Sequence, residues 1–160
     1  MSIFEVASER VFWDRWEEKF TSNANNYITP YDDKVQDAVI SADVCRDCEE
    51  SEKVDDIWEY VFDEIDYELT KEWKEPRQTL EEGTGDCEDV SFLASSMMMS
   101  VGISGFDFVI GELDNTGSEV EKHTWLDVDG RIVDPTSPVG GPNEDDYDYE
   151  RTFTLVHGGE

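Results

Sequence analysis

From Gly83 to Gly102 the chain reads Gly83-Thr84-Gly85-Asp86-Cys87-Glu88-Asp89 and then Val90-Ser91-Phe92-Leu93-Ala94-Ser95-Ser96-Met97-Met98-Met99, its most apolar segment. Val90, Leu93 with Ala94, Met97 with Met98, and Val101 recur at helical spacing, so the stretch predicts a buried helix entered from a glycine turn. Asp86 is a good N-cap for it, and Gly102 is a natural stop after the last turn. Cys87 then lies in the first turn. Unsatisfied N–H groups there favour a thiolate, the nucleophilic form, and can later receive an oxyanion. The flanking carboxylates of Asp86, Glu88 and Asp89 oppose this, because like-signed neighbours raise a thiol pKa. A nucleophile at Cys87 therefore calls for a cationic partner. A lone cysteine is more often a small buried hydrophobe, but apolar core cysteines rarely sit among acids directly behind a Gly-x-Gly turn.

Cations are scarce: 12 Lys and Arg stand against 41 Asp and Glu, a net charge of -29. Self-repulsion on that scale destabilises a compact chain in dilute buffer, and molar salt, with a Debye length of about 3 Å, screens it. The acids are spread through the chain, which reads as a surface adapted to the concentrated salt of a halophile. A nucleic-acid mimic or a cation-binding surface would share the charge. Nucleic-acid binding itself is excluded by the lack of a basic stripe to replace phosphate counterions. With 38% hydrophobic residues, 5 Trp, 6 Tyr and 8 Phe, the chain is expected to fold. Its 160 residues predict one domain, with a helical portion over 1–52 and a core over 53–157. Met1 to Phe20 lacks the apolar run of a signal peptide, and Phe92 to Ile103 is too short and too rich in serine to span a membrane. The expectation is a soluble protein of the cytoplasm of a halophile, or part of a virus particle, with no membrane partner.

Before the central stretch, Val11 to Phe20 places Phe12, Trp13, Trp16 and Phe20 on one side of a helix. A loop from Thr21 to Pro30 follows, then a short helix begun by Asp32 or Asp33 that runs through Val35, Ala38 and Val39. Cys45-Arg46-Asp47-Cys48 is half of a tetrahedral metal site. Completing it with Cys87 or His123 would empty the centre those residues point to, so a metal or redox site would need carboxylates or a second chain, and a structural loop pair or disulfide is the preferred reading. From Lys53 to Ile65, Val54, Ile57, Trp58, Val61, Phe62 and Ile65 form one helical face. Pro76 is expected to break any helix and lead an irregular segment into the glycine turn.

After it, Phe106, Phe108 and Ile110 alternate as in a strand, Asn115-Thr116-Gly117 turns the chain, and a strand from Glu119 to Val128 returns. Asp129-Gly130 is a strong two-residue hairpin signal. If Val128 pairs with Arg131, then Asp127 pairs with Ile132, Leu126 with Val133, Trp125 with Asp134 and Thr124 with Pro135. His123, Trp125 and Asp134 then share a face, with imidazole and carboxylate in reach of each other. A loop over Thr136 to Glu150 and a last strand over Arg151 to Val156 complete the chain, and His157 reads as exposed.

Trp73-x-x-Pro76-x-x-Thr79-Leu80, Gly83-x-Gly85-Asp86-Cys87-Glu88-Asp89, His123-x-Trp125 and Val133-Asp134-Pro135-Thr136 together resemble the transglutaminase-like superfamily of cysteine enzymes, over roughly Val54 to Thr136. The resemblance implies an α+β, papain-like core: N-terminal helices, and a nucleophile helix packed on an antiparallel sheet. It further implies Cys87 as nucleophile, His123 as general base and acid, and Asp134 as the group that orients the imidazole. The expected chemistry is a cysteine peptidase, amidase or acyltransferase acting on amide bonds of a protein or peptide through a thioester. Asp86, Glu88 and Asp89 could contribute oxygens to a calcium site, as in some bacterial transglutaminase-like proteinases, and Trp73 or Gln78 could supply a second oxyanion donor. The alternative is an inactive domain of the family serving as a structural or interaction module, with partners in a larger assembly.

Overall fold

The computed structural model describes residues 3–114 and 120–154. The turn at Asn115-Thr116-Gly117, the end of the last strand at Leu155 and Val156, and His157 lie outside the described residues. The described chain is an α+β arrangement in which helices cover one face of an antiparallel sheet.

The first helix, α1, runs over Ile3–Asn23, longer than its aromatic stripe suggested. Trp13 and Phe20 are buried and Trp16 packs beside them, but Phe12 is 41% exposed. The reason is angular: Trp13, Trp16 and Phe20 fall on one side of a helix, whereas Phe12 is rotated by about 100° from Trp13. Phe12 instead leans on the rings of Trp13 and Trp16 from the flank. Helix α2, Asp33–Ser41, starts at Asp32, whose side chain accepts the Lys34 N–H as an N-cap. Helix α3, Glu50–Glu64, buries Val54, Ile57, Trp58 and Val61 and leaves Phe62 at the rim. The Trp58 indole donates to the Ser137 carbonyl at 2.7 Å, which ties α3 to the segment after the sheet hairpin.

Pro76 does not end a helix; it begins one. Helix α4 spans Pro76–Glu82 with the proline at its start, where its fixed φ is already helical and its missing N–H is one that would be unsatisfied anyway. Gly83 closes α4 in the left-handed conformation at φ 72°, a geometry that strains any other residue. Two short strands flank this helix, β1 at Asp66–Tyr67 and β2 at Thr84–Gly85, paired in parallel. That pairing, which no sequence pattern announced, clips the chain before α4 to the turn that enters the central helix.

The central helix, α5, spans Cys87–Ser100, and most of its side chains are buried. Phe92, Leu93, Met97 and Met98 fill the interior between α1, α3 and the sheet. The sheet has the order β5-β4-β3-β6, with β3 at Asp107–Asp114, β4 at Val120–Val128, β5 at Arg131–Val133 and β6 at Tyr147–Thr154. Asp129 and Gly130 both have positive φ, 56° and 82°, as a twisted two-residue hairpin turn demands. The register is the expected one at Leu126 with Val133, Asp127 with Ile132 and Val128 with Arg131. It stops there, however, because β5 ends at Val133, so Trp125 with Asp134 and Thr124 with Pro135 are not ladder pairs.

Both faces of the sheet carry buried apolar side chains. Phe108, Ile110, Leu126 and Val133 face the helices, while Val109, Trp125, Ile132 and Tyr147 form a second apolar cluster on the opposite side. The Trp125 ring lies over Gly111, where a β-carbon would sit 2.6 Å from the indole and 2.1 Å from the Asp148 carbonyl. The last strand starts at Tyr147, inside the segment read as acidic loop, because Tyr147 and Tyr149 both pack on Trp125.

Candidate active site

Cys87 owes its position to a capping box. The Asp86 side chain accepts the Asp89 N–H at 3.2 Å, and the Asp89 carboxylate accepts the Asp86 N–H at 3.1 Å. The chain before α4 braces this box from outside: the Thr70 hydroxyl donates to Asp86 and Asp89 at 2.7 and 3.1 Å, and the Lys74 N–H donates to Asp89 at 2.9 Å. The start of α5 is thereby fixed, and the Cys87 side chain is 6% exposed.

The short β5 strand has a consequence at this point. Past Val133 β4 has no further ladder pair with β5, and the backbone of Thr124 lies near enough to the Cys87 sulfur to act on the thiol. The thiol therefore sits against the strand that carries His123, at the residue next to it. His123 in turn meets Asp134, with Nε2 2.8 Å from Oδ2. Asp134 is fully buried, and its carboxylate is saturated: Oδ2 also accepts the Tyr147 hydroxyl at 2.7 Å, and Oδ1 accepts the Thr136 hydroxyl at 2.7 Å and the Thr136 N–H at 3.1 Å. Burial pushes this carboxyl up, but the hydrogen bond and charge of His123, with those of Tyr147 and Thr136, outweigh it and hold Asp134 below its ordinary value.

The structure brings His123 and Asp134 together, whereas the hydrogen bond of the Cys87 sulfur goes to Glu88 and not to His123. The electrostatics at the sulfur run against the helix-end expectation. Burial, then the charges of Glu88 and Asp86, push the thiol well above the usual cysteine range, and the Thr124 backbone only partly offsets them. The thiol donates to Glu88 Oε2 at 3.3 Å. Tyr67, placed beside this group by the β1–β2 pairing, is raised by burial and then by the charges of Cys87, Asp86 and Glu88, so it stays a phenol with a proton to donate.

Glu88 itself is raised to about 7, by burial first and then by Asp86. A carboxyl raised from its ordinary value of 4.5 holds a proton in the folded state that the unfolded chain has released, so its contribution favours folding in acid and is lost as pH rises toward 7. Glu88→Gln is therefore expected to raise the thermal midpoint at pH 8 in molar KCl, while barely changing it at pH 5. It should also speed alkylation of Cys87 severalfold at pH 8, since one like charge beside the sulfur is gone. A variant that matches wild type in both melting and alkylation would show that Glu88 does not control the thiol.

Neither side chain considered as a second oxyanion donor reaches into this arrangement. Trp73 packs among Phe20, Tyr27 and Phe92 with the Lys19 ammonium 4.2 Å above its ring, and Gln78 lies exposed on α4. Asp86, Glu88 and Asp89 lie together at the start of α5: Asp86 and Asp89 are held by the capping box, Thr70 and Lys74, and Glu88 is close enough to Asp86 to be raised by it; they are not among the described residues that gather three ligand atoms within 4.8 Å of one another. Sequence reasoning missed Tyr147 and Thr136 as holders of Asp134 and Thr124 as the residue whose backbone acts on the sulfur. The alternation of Tyr147 and Tyr149 with polar residues was a readable strand signal; the Thr124 contact depends on where β5 stops and had none.

The family model described as the Transglutaminase-like superfamily matches residues 40–130, which include Cys87 and His123 and end before Asp134. No curated protein matches the sequence. Among solved structures, LapG of Legionella pneumophila in its calcium-bound form superposes with a TM-score of 0.58 at 16% identity, over 86% of this chain and 83% of that one. The EGTA-treated form of LapG gives 0.56 at the same identity, over 86% and 81%. A protein of Cytophaga hutchinsonii described as a candidate cysteine protease gives 0.56 at 16% identity, over 83% of this chain but 46% of its own. At that identity these likenesses establish the fold.

Proposed function

We propose, since the chain belongs to the transglutaminase-like superfamily, that it is a cysteine-dependent hydrolase, a peptidase or amidase, that opens amide bonds of a protein or peptide through Cys87, His123 and Asp134. The observation that supports this reading is the run of hydrogen bonds from Tyr147 and Thr136 through Asp134 to His123, on the strand whose next residue, Thr124, has its backbone near the Cys87 sulfur. The description of the Cytophaga hutchinsonii neighbour as a cysteine protease candidate agrees with it.

With Nε2 held by Asp134, Nδ1 is the nitrogen through which His123 takes the Cys87 proton. The resulting imidazolium is the cation that the acidic neighbourhood lacks, and Asp134 stabilises it. The thiolate adds to the amide carbonyl, and first-turn N–H groups of α5 receive the oxyanion. Collapse of the adduct passes the proton from His123 to the leaving amine and leaves a thioester on Cys87. Water resolves the thioester in a hydrolase, and an amine resolves it in an acyltransferase; water leads because it is always at hand. LapG has a calcium-bound form; Asp86, Glu88 and Asp89 are the acids here that would supply oxygens to such an ion, and no step is routed through it. The acidic surface fits work in concentrated salt, in the cytoplasm of a halophile or in a virus particle.

The second reading, an inactive domain acting as an interaction module, draws on the buried thiol and its bond to Glu88. One experiment separates the two. Unfolded proteins are incubated with the chain in molar KCl together with a tagged primary amine, and the products are sequenced by mass spectrometry. Hydrolysis gives new termini or deamidated side chains, transfer gives tagged ones, and both vanish in Cys87→Ala. Products identical with wild type and Cys87→Ala would leave the module reading standing.

A further inference from the structure

The turn Cys45-Arg46-Asp47-Cys48, between α2 and α3, takes no part in the chemistry above. Its cysteines are half-buried and joined as a disulfide, with Cα atoms 5.4 Å apart. The Cys45 N–H is anchored on Asp56 Oδ2 at 3.1 Å, which holds the turn against α3. Exposed Glu52, in the first turn of α3, brings a carboxylate oxygen to the same spot: the two sulfurs and this oxygen all lie within 4.8 Å of one another. A bond that closes so short a loop restrains the unfolded chain less than any longer disulfide does, so stapling the fold is a poor account of the pair. Two sulfurs and one carboxylate oxygen are instead three corners of a tetrahedron for a borderline-soft divalent ion. Across tetrahedral zinc, two thiolates bound at about 2.3 Å stand about 3.8 Å apart, so the cluster needs little closing once the sulfurs are separate.

We propose that reduction of the Cys45–Cys48 disulfide creates a zinc site on Cys45, Cys48 and Glu52. A dithiol reductant supplies two electrons and two protons; the protein's S–S bond breaks, and the reductant's own sulfurs join. Zinc then binds both sulfurs as their two protons pass to solvent, Glu52 is the third ligand, and water takes the fourth position. Oxidation by a disulfide of the same class reverses the exchange and releases the ion. The site is independent of the reading of Cys87 as a nucleophile, and its choice of ligands excludes calcium and magnesium, which take oxygen.

So acidic a chain attracts any divalent cation, and the test must therefore see sulfur. Cys87→Ser protein is reduced with dithiothreitol in molar KCl, desalted without oxygen and titrated with cobalt(II). The expected result is one equivalent bound with a thiolate-to-cobalt absorption in the near ultraviolet, displaced by zinc. The oxidised protein gives no such band, and Cys48→Ser loses it. Glu52→Gln, an exposed change, keeps the sulfurs and binds cobalt about tenfold more weakly. The proposal is overturned if the reduced protein gives no band, if Cys48→Ser or the oxidised protein gives the same one, or if Glu52→Gln binds as tightly. It is equally overturned if reduction abolishes the near-ultraviolet circular dichroism of the fold, since the bond would then be a structural staple.

Discussion

Replacing His123 by alanine is expected to slow acylation of Cys87 by about 10²- to 10⁴-fold, the range that a positioned general acid and base contributes. The effect should be this large because His123 is the only cation proposed beside a sulfur that burial, Glu88 and Asp86 push well above the ordinary range. Without it nothing removes the thiol proton near neutral pH, and the carboxylates act unopposed. His123→Ala also strands a fully buried Asp134 without its partner, a defect that can cost about 3–5 kcal/mol. His123→Gln resolves the ambiguity: its amide can still donate to Asp134 but cannot take a proton, and it should be as slow as the alanine variant. Asp134→Asn should fall between these and wild type, since Tyr147 and Thr136 still hold the side chain while the imidazolium loses its counter-charge. Rates are read from leaving-group release by an activated acyl donor in molar KCl. An unchanged rate in His123→Gln would remove His123 from the chemistry.

The second large effect is on stability. Between dilute buffer and 2 M KCl the thermal midpoint is expected to rise by more than about 10 °C, or roughly 3 kcal/mol or more for a chain of this size. Among the described residues, Lys74, Arg77, Lys122, Arg131 and Arg151 pair with eight carboxylates, while the whole chain carries 41 acids. Most of the negative surface is therefore unbalanced, and those few exposed pairs contribute little each. Screening acts on the repulsion, which is the larger quantity. A midpoint that stays level with KCl, followed by near-ultraviolet circular dichroism, would withdraw the reading of a surface built for concentrated salt.

What could be read from the sequence was whatever local chemistry decides. The capping residue Asp86, the apolar face of α5 and the Asp129-Gly130 turn each follow from neighbouring residues, and the turn set the register as far as Val133, from where Thr136 and Tyr147 hold Asp134 against His123. Pro76 was misread because one residue both breaks a helix interior and starts a helix, and only the chain around it chooses. The parallel clip between Asp66–Tyr67 and Thr84–Gly85 is two residues long and carries no periodicity. Tyr147 was hidden in an acidic segment whose charges suggested a loop, although its ring lies under the sheet and its hydroxyl on Asp134. The balance at the sulfur was also out of reach, because the penalty depends on how deeply the fold buries Cys87.

The claim that Cys87 is an assisted nucleophile is tested most directly by looking for the acyl group itself. Wild-type protein in 2 M KCl is mixed with an activated acyl donor at pH 7.5, quenched in acid within seconds, and its mass and modified peptide are determined. The account predicts a single acyl group on Cys87, released by hydroxylamine as a thioester is, absent from Cys87→Ser and formed at most one-hundredth as fast in His123→Gln. An acyl group that never appears on Cys87, or appears there as fast in His123→Gln as in wild type, would contradict it.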